Sequence, residues 1–461
     1  MQETRPYDDF EEAPAASAER YHIETWGCQM NVHDSEKLAG ALEGHGYVKA
    51  DGIQDADVIL LNTCSIREKA AEKVFSELGR VQRLKRSNPR LLIGVLGCVA
   101  QQEGRAIFKR APFVDFVIGP RATASLPRTL DRLRAGDRTA RHTVDTEYRA
   151  DSIRFPFDEI RREGTDSGKA FVTIIEGCNH RCTYCIVPRT RGSEICRPLD
   201  NVLGEVRSLA DRDVREIEFL GQTVNAYRDN LGHGLGDLLL ATAEIDGIDR
   251  IRFTTSHPAQ MTDKLMDTMA AAHPKVCPYL HLPVQSGSSA VLERMRRGYD
   301  RGTYLAKVDA LRSRISEISF GTDIIVGFPG ETDADFDQTL SLLDEVSFDT
   351  VYSFAYSERP GTRAMDFPEA IPLATKLDRL KTLQGKQKKI QEKRNRLWIG
   401  RRLEVLVEGP SKRDPSRWTG RTPENRIVHF RGETAPGRME TIEITASTAY
   451  SLIGTPAPGV A

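Results

Sequence analysis

Residues 169–185 read KAFVTIIEGCNHRCTYC, an apolar, β-patterned run that ends in three cysteines spaced CxxxCxxC. A strand that delivers Cys178, Cys182 and Cys185 into one short loop gathers three thiolates, soft ligands suited to zinc or to iron–sulfur clusters. A structural zinc site wants a fourth ligand, and the nearest histidine, His180, lies inside the loop itself. Three thiolates on a four-iron cluster leave one iron open to a non-protein ligand. The iron–sulfur reading is therefore preferred, with zinc as the alternative.

Beyond that loop the alternation of strand and helix continues. EIEFLGQ (216–222), RIRFTTSHP (250–258), YLHLPVQSG (279–287), ISFGTDIIVGFPG (318–330) and TVYSFAYS (350–357) are strand-like. Helix-patterned stretches such as VLGEVRSLADRD (202–213), MTDKLMDTMAAAH (261–273) and TYLAKVDALRSRI (303–315) separate them. Six strand–helix repeats with polar or glycine-bearing strand ends predict a partial TIM-type barrel over residues 169–397, its site at the carboxyl-end mouth. Gln222, Asn225, Ser256, His257, Gln285, Ser286 and Asp323 either line that mouth or satisfy strand-end hydrogen bonds. Gly327 and Gly330 more plainly permit a close turn.

Upstream, residues 21–145 hold a second alternation. IETWGC (23–28), VILLNTC (58–64) and LLIGVLGC (91–98) are short apolar runs that each end in a cysteine, followed by helix-patterned segments, with VDFVIG (114–119) as a fourth strand. Such continuous apolar strands indicate a parallel sheet buried on both faces. Cys28, Cys64 and Cys98 recur about one strand–helix unit apart, which places each at a strand's carboxyl end, the edge where open α/β sheets bind ligands. Inert buried thiols would have no reason to keep that phase, so a second ligand set is expected.

The flanks differ in character. Residues 1–20 are acidic and lack an apolar core, the pattern of a disordered tail and not of a secretory or transit signal. Residues 146–168 are polar and irregular, a linker. From about residue 398 short alternating strands without long helices predict a small antiparallel β-barrel. Just before it, between Arg379 and Arg402, ten lysines or arginines face one acid, Glu392. Such a run is either a solvated helix face or an RNA-tracking surface; Lys388, Lys389, Lys393, Arg394, Arg396 and, in the barrel, Arg421 are the candidate RNA contacts.

The chain as a whole agrees with this division. Its 461 residues suit about three domains, and 39% apolar with 28% charged residues describes a soluble globular protein. No apolar stretch approaches the ~18 residues of a membrane span, so no membrane partner and a cytoplasmic location are expected. In that reducing compartment eight cysteines are ligands or buried residues, not disulfides. A monomer is expected.

The motif EGCNHRCTYC resembles the signature loop of the radical SAM superfamily, with Tyr184 as the aromatic residue before the last cysteine. The resemblance implies that S-adenosylmethionine chelates the open iron and is cleaved to a 5′-deoxyadenosyl radical. It also implies that Tyr184 and the seven strand-end residues contact that cofactor. WGCQMNVHDSE, LNTCSIREKA and GVLGCVAQ resemble the amino-terminal domain of the methylthiotransferases, and LVEGPSKRDPSRWTGRTPENRIVHF resembles their TRAM domain. In that family the cysteines matching Cys28, Cys64 and Cys98 hold a second 4Fe-4S cluster. GCQMN, FLGQTVNAY and GRTPENR read like the branch that methylthiolates C2 of N6-isopentenyladenosine next to the anticodon in tRNA. There S-adenosylmethionine is both methyl donor and radical source, and an electron donor and a sulfur source are further partners. The alternatives are methylthiolation of a ribosomal protein and a zinc-stabilised RNA-binding protein. Trp26 stands where the family usually has Tyr or Phe, and Cys196 where it usually has Ser. Cys196 and Cys277, outside the motifs, are read as small buried or partly exposed residues.

Overall fold

The computed structural model describes residues 18–64, 68–148 and 168–457. The expected tail up to residue 17 and most of the expected linker lie outside the described residues.

Six parallel strands form the first sheet, in the order β2-β1-β3-β4-β5-β6: β1 (Arg20–Trp26), β2 (Val48–Lys49), β3 (Val58–Thr63), β4 (Leu92–Gly97), β5 (Phe116–Ile118) and β6 (Thr143–Asp145). Alternate residues of the buried strands serve two cores. Ile59, Leu61, Ile93 and Val95 pack on Val74, Leu78 and Ile107 at one face. Val58, Leu60, Leu92 and Leu96 pack on Leu38, Leu42, Leu126 and Leu130 at the other. This is why VILLNT and LIGVLG carry so little polar text.

The second unit carries β7 (Lys169–Thr173), the short antiparallel pair β8 (Ile175–Glu176) and β9 (Ile195–Cys196), then β10 (Glu216–Leu220), β11 (Arg250–Phe253), β12 (Tyr279–His281), β13 (Ser319–Val326) and β14 (Thr350–Ala355). Two parallel three-stranded sheets, β7-β10-β11 and β12-β13-β14, are joined where Ile251 bridges Val276 and Ser256 N–H donates to the His281 carbonyl at 3.3 Å. The result is the partial barrel expected from six repeats. Val172, Ile217, Phe219, Ile251 and Phe253 face a shell of helices. On the opposite, inward face the register aligns Lys169, Glu216 and Arg250, then Phe171, Glu218 and Arg252, so all but Phe171 of these inward residues are charged. Lys169 Nζ lies 2.6 Å from Glu218 Oε2, and Arg252 Nε lies 2.9 Å from Glu216 Oε1.

A 24-residue helix, Leu373–Arg396, leads into a closed five-stranded barrel. It is built from β15 (Arg402–Pro410), β16 (Trp418–Arg421), β17 (Ile427–Phe430), β18 (Met439–Ser447) and β19 (Leu452–Pro456). All its pairings are antiparallel except β17 with β19; the crossing through β18 brings the last strand back beside β17 in the same direction. Trp398 fills its core with Val405, Val428, Phe430 and Ile442. This barrel seats on the amino-terminal ends of the central strands. Arg250 donates to the carbonyls of Arg421 (2.8 Å) and Glu404 (3.0 Å), and Arg252 to those of Pro423 (2.7 Å) and Thr422 (2.6 Å). GRTPENR is thus an interdomain plug. Among the described residues no helix is long and apolar enough to cross a membrane.

Candidate active site

In the first sheet Trp26 is opposite Thr63, and Thr63 is opposite Gly97. Three neighbouring strands therefore end on one row, and Cys28, Cys64 and Cys98 follow it directly. The Cys64 N–H donates to the Trp26 carbonyl at 2.9 Å. Gly97, with φ at +86°, makes the turn into Cys98; a Cβ there would meet the Thr63 backbone at 2.6 Å. Asn31, the last letter of GCQMN, accepts from the Cys28 N–H at 3.3 Å and from its thiol at 3.5 Å. A hydrogen bond with Cys64 holds the Cys28 thiol down at about 6, against burial. Burial pushes the Cys98 thiol up, and the Arg191 charge opposes it.

The other triplet follows β8. Gly177, with φ at +84°, has no room for a side chain because a Cβ would run into the Ser193 carbonyl. Next to it the Cys178 N–H donates to the Gly192 carbonyl at 3.1 Å, and the Cys178 thiol sits 3.4 Å from Thr223 Oγ1. Arg297 reaches over the loop. Its Nη1 donates to Cys182 Sγ at 3.2 Å and to the Tyr184 hydroxyl at 3.4 Å, while Nη2 donates to the Pro283 carbonyl at 3.1 Å. Burial, aided by the neighbouring Cys182, pushes the Cys185 thiol up to about 12. Among the described residues no three His, Cys, Asp or Glu side chains close on a single metal ion. Each set that the sequence singles out consists of three thiols, a donor set that a four-iron cluster takes with one iron left open.

The two domains are docked through polar contacts near the start of the helix that follows Cys28. The helix Gln29–Glu43, which begins beside Cys28, packs on β7 through His33 Nδ1 and Thr173 Oγ1 at 2.6 Å. Arg191 Nη2 and Asp34 Oδ2 pair across the same junction at 2.6 Å, and Gln29 Nε2 reaches Glu218 Oε1 at 3.1 Å.

The strand-end residues divide. The Gln222 side chain accepts from the Gly177 N–H, fixing the start of the cysteine loop. Asn225 spends both ends of its amide on His257, donating to its carbonyl at 2.9 Å and accepting its N–H at 2.8 Å. Ser286 turns outward, bonding the Ser288 N–H at 3.2 Å and Thr339 Oγ1 at 3.4 Å. These three act on structure. Four others are placed differently. Ser256 Oγ and His257 Nε2 are buried without partners, and the His257 ring stacks on His180 of the cysteine loop with centroids 3.9 Å apart. Burial, reinforced by Arg297, keeps His257 neutral, its pKa pushed down to about 2. Gln285 occupies a left-handed conformation, φ +76°, at a bridge to Ile324. Asp323 Oδ1 accepts from His281 Nε2 at 3.0 Å. Tyr184 packs with Val291, Met295 and Phe328.

Thr223, His281, Arg297 and Arg191 were not singled out by sequence. Arg297 is one arginine among several in ERMRRGYDR, and nothing local marks it. Of the basic candidates, Lys388, Lys389, Lys393 and Arg396 are exposed. Arg394 is tied to Asp349 (2.5 Å) and Arg421 to Glu408 (2.8 Å), so both hold the structure together. Cys196 accepts from the Arg228 N–H at 3.4 Å, and Cys277 is buried; both are packing residues. Asn225→Ala is expected to cost about 1–3 kcal/mol of stability, because it strands two buried backbone groups; urea unfolding measures it.

Three family models match the chain: Uncharacterized protein family UPF0004 over residues 20–119, the Radical SAM superfamily over 172–343, and the TRAM domain over 396–457. A tRNA-2-methylthio-N(6)-dimethylallyladenosine synthase of Halorhodospira halophila is 47% identical over 444 residues, covering 95% of this chain and 92% of its own. One of Bordetella petrii is 47% identical over 448 residues, covering 95% and 90%. Among solved structures, the radical S-adenosylmethionine methyltransferase TsrM from Kitasatospora setae superposes with a TM-score of 0.56 at 15% identity, over 75% of this chain and 77% of that one. The cobalamin-dependent radical enzyme OxsB gives 0.53 at 12%, over 81% and 56%. These two share the fold.

Proposed function

The chain belongs to the radical SAM tRNA methylthiotransferases, the tRNA-2-methylthio-N6-dimethylallyladenosine synthases, and from that premise we propose how its residues divide the work. The reaction is methylthiolation of C2 of N6-isopentenyladenosine next to the anticodon in tRNA. We assign Cys178, Cys182 and Cys185 to a 4Fe-4S cluster with one open iron that takes S-adenosylmethionine, and Cys28, Cys64 and Cys98 to a second. When bound, the first supplies reducing power for the hydrogen-abstracting radical and the second a place for sulfur. The observation that carries this reading is the convergence of two all-cysteine triplets at strand carboxyl ends, on domains joined by the helix that begins at Cys28.

The surrounding residues fix the loops and strand ends of this site. Arg297, 6% exposed, sets a fixed cation against Cys182 and ties the loop to the Pro283 carbonyl. Asn225 and Gln222 fix the strand ends from which the loop and His257 project. His257 stays neutral and, with Ser256, offers partnerless polar atoms for the bound cofactor. Asp323, held by His281, presents a carboxylate toward the mouth, suited to an ammonium or ribose hydroxyl. We read the chain as folding units over 21–145, 169–397 and 398–461, with 146–168 as linker.

Nucleoside mass spectrometry of tRNA from cells lacking this protein tests the activity: loss of 2-methylthio nucleosides is expected, and unchanged levels would overturn it. The exposed cations of the long helix are expected to track phosphate. Changing Lys388, Lys389, Lys393 and Arg396 together to glutamine should weaken binding of an anticodon stem-loop. It should also flatten the salt dependence by about one unit of slope per lost phosphate contact. Unchanged slope and affinity would move the RNA path elsewhere on the chain.

A further inference from the structure

We propose that Phe354 is a specificity-determining residue for the target base. Its ring takes the dimethylallyl chain carried on N6 of the adenine, and by holding that chain it sets where C2 lies. This rests on the tRNA-modification reading above.

Phe354 lies on β14, the last strand of the partial barrel, which pairs only with β13 among the described residues. Side chains alternate along such a strand. Val351 packs against the central core, and Ser353 Oγ accepts from Gln384 Nε2 of the long helix at 3.2 Å. Tyr352 and Phe354 therefore point the other way, into the barrel. The Tyr352 ring meets His281 edge-on with centroids 5.9 Å apart, and His281 in turn holds the Asp323 carboxylate. Phe354 is one step nearer the carboxyl end and lies opposite Ile325 in register. Ile325 and Tyr184 of the cysteine loop pack against one apolar cluster. The chain that leaves β14 is pinned to the same loop. The Ala364 N–H donates at 2.9 Å to the carbonyl of Thr183, which lies between Cys182 and Cys185. The Gly361 carbonyl accepts from Arg189, just past the loop, at 2.7 Å.

The walls of the barrel differ in chemistry. Along β7, β10 and β11 the inward residues named above are charged except Phe171. Near the carboxyl ends of β13 and β14 they are Ile325 and Phe354, and Phe354 keeps 42% of its surface exposed. A single exposed apolar side chain is ordinary on an outer surface. This one faces inward beside the cysteine loop, where the reaction has to occur. An adenine of an anticodon loop enters such a site only when turned out of its stack. The chain on N6 is then its one apolar extension, the part that a phenyl ring takes out of water. Ring nitrogen N1 is bonded both to C2 and to the carbon that bears N6. Anchoring the chain on Phe354 therefore orients C2 within the mouth, as removal of its hydrogen and arrival of sulfur both require. The same contact discriminates, because an adenine without the chain leaves the ring uncovered.

The test separates the chain on N6 from the base that carries it. Two anticodon stem-loops are bound to the anaerobically reconstituted full chain, one with N6-dimethylallyladenine at the target position and one with unmodified adenine. Wild type, F354A and F354L are compared. F354A is expected to weaken binding of the prenylated stem-loop by about tenfold or more, the usual effect of lost apolar contact in a pocket, and to leave the unmodified one within about twofold. F354L, which keeps part of the apolar contact, should fall between, and it carries the test if F354A does not fold. Iron content and affinity for S-adenosylmethionine should stay at their wild-type values. Equal weakening of both stem-loops, or of neither, would overturn the assignment. Weaker binding of S-adenosylmethionine with unchanged discrimination between the stem-loops would give the ring to the cofactor's adenine and overturn it as well. A wild-type chain that leaves the prenylated stem-loop without a 2-methylthio group would overturn the activity reading itself, and mass spectrometry of the product tells that failure from the others.

Discussion

Cys182→Ala is expected to lose about half of the iron of the reconstituted chain and to cleave S-adenosylmethionine only at background rate. Cys64→Ala should lose a similar share of iron yet retain that cleavage. The asymmetry follows from where the thiols sit. Cys182 is the thiol that Arg297 holds at 3.2 Å, so its loss removes one contact of a buried cation as well as a third of the proposed ligand set. Cys64 closes the row beside Cys28 and Cys98 in a separate domain, and its hydrogen bond is what holds the Cys28 thiol low. Iron analysis together with chromatography of 5′-deoxyadenosine gives the result. Retention of full iron by Cys182→Ala, or loss of cleavage in both variants alike, would refute the division of labour.

Glu216→Gln is expected to destabilise the chain by about 3–5 kcal/mol, the usual cost of removing one partner from a buried ion pair. Glu216 is 1% exposed and faces Arg252 at 2.9 Å, Lys169 at 3.3 Å and Arg250 at 3.8 Å. The same two arginines hold the carbonyls of Arg421, Thr422 and Pro423, so the terminal barrel should loosen with them. Trp398 and Trp418 lie in that barrel, and their fluorescence in urea reports the event. The effect also carries a pH signature. Burial raises the Glu216 carboxyl, but Arg252 and then Lys169 overcome it and hold the group at about 2, below its ordinary 4.5. A group depressed in the folded state stabilises above its unfolded value. On the order of 3 kcal/mol is therefore present above about pH 4.5 and lost as pH falls toward 2. Glu216→Gln should flatten that part of the acid limb, and an unchanged limb would contradict the assignment.

The two cysteine sets were legible because residues gathered at one edge of a fold leave a mark in spacing. CxxxCxxC is local, and the recurrence of Cys28, Cys64 and Cys98 carries the strand–helix repeat. The residues that support them were not. Arg191 and Arg297 act from far along the chain, and an arginine in a basic sequence looks like any other. EIEF and RIRF read only as strands, but their charged side faces the barrel interior, where opposite charges meet in register. Polar strand ends were ambiguous for a related reason. Asn225 and Ser286 satisfy backbone and loop, while Ser256 and His257 stay open, and only the fold distinguishes the two fates. GRTPENR was legible as family text but not as a plug, because its partners are the carbonyl groups it exposes to Arg250 and Arg252.

The row formed by Trp26, Thr63 and Gly97 bears on how the enzyme matures. Cys178 and Cys185 are seven residues apart, so their loop can meet iron on a chain that is barely organised. Cys28 and Cys98 are seventy residues apart and become neighbours only when three strands have paired in the right register. A slip of one residue in β3 would carry Cys64 to the opposite face of the sheet. Loading of the first-sheet triplet would then act as a proofreading step, late in assembly, that accepts only a correctly threaded domain.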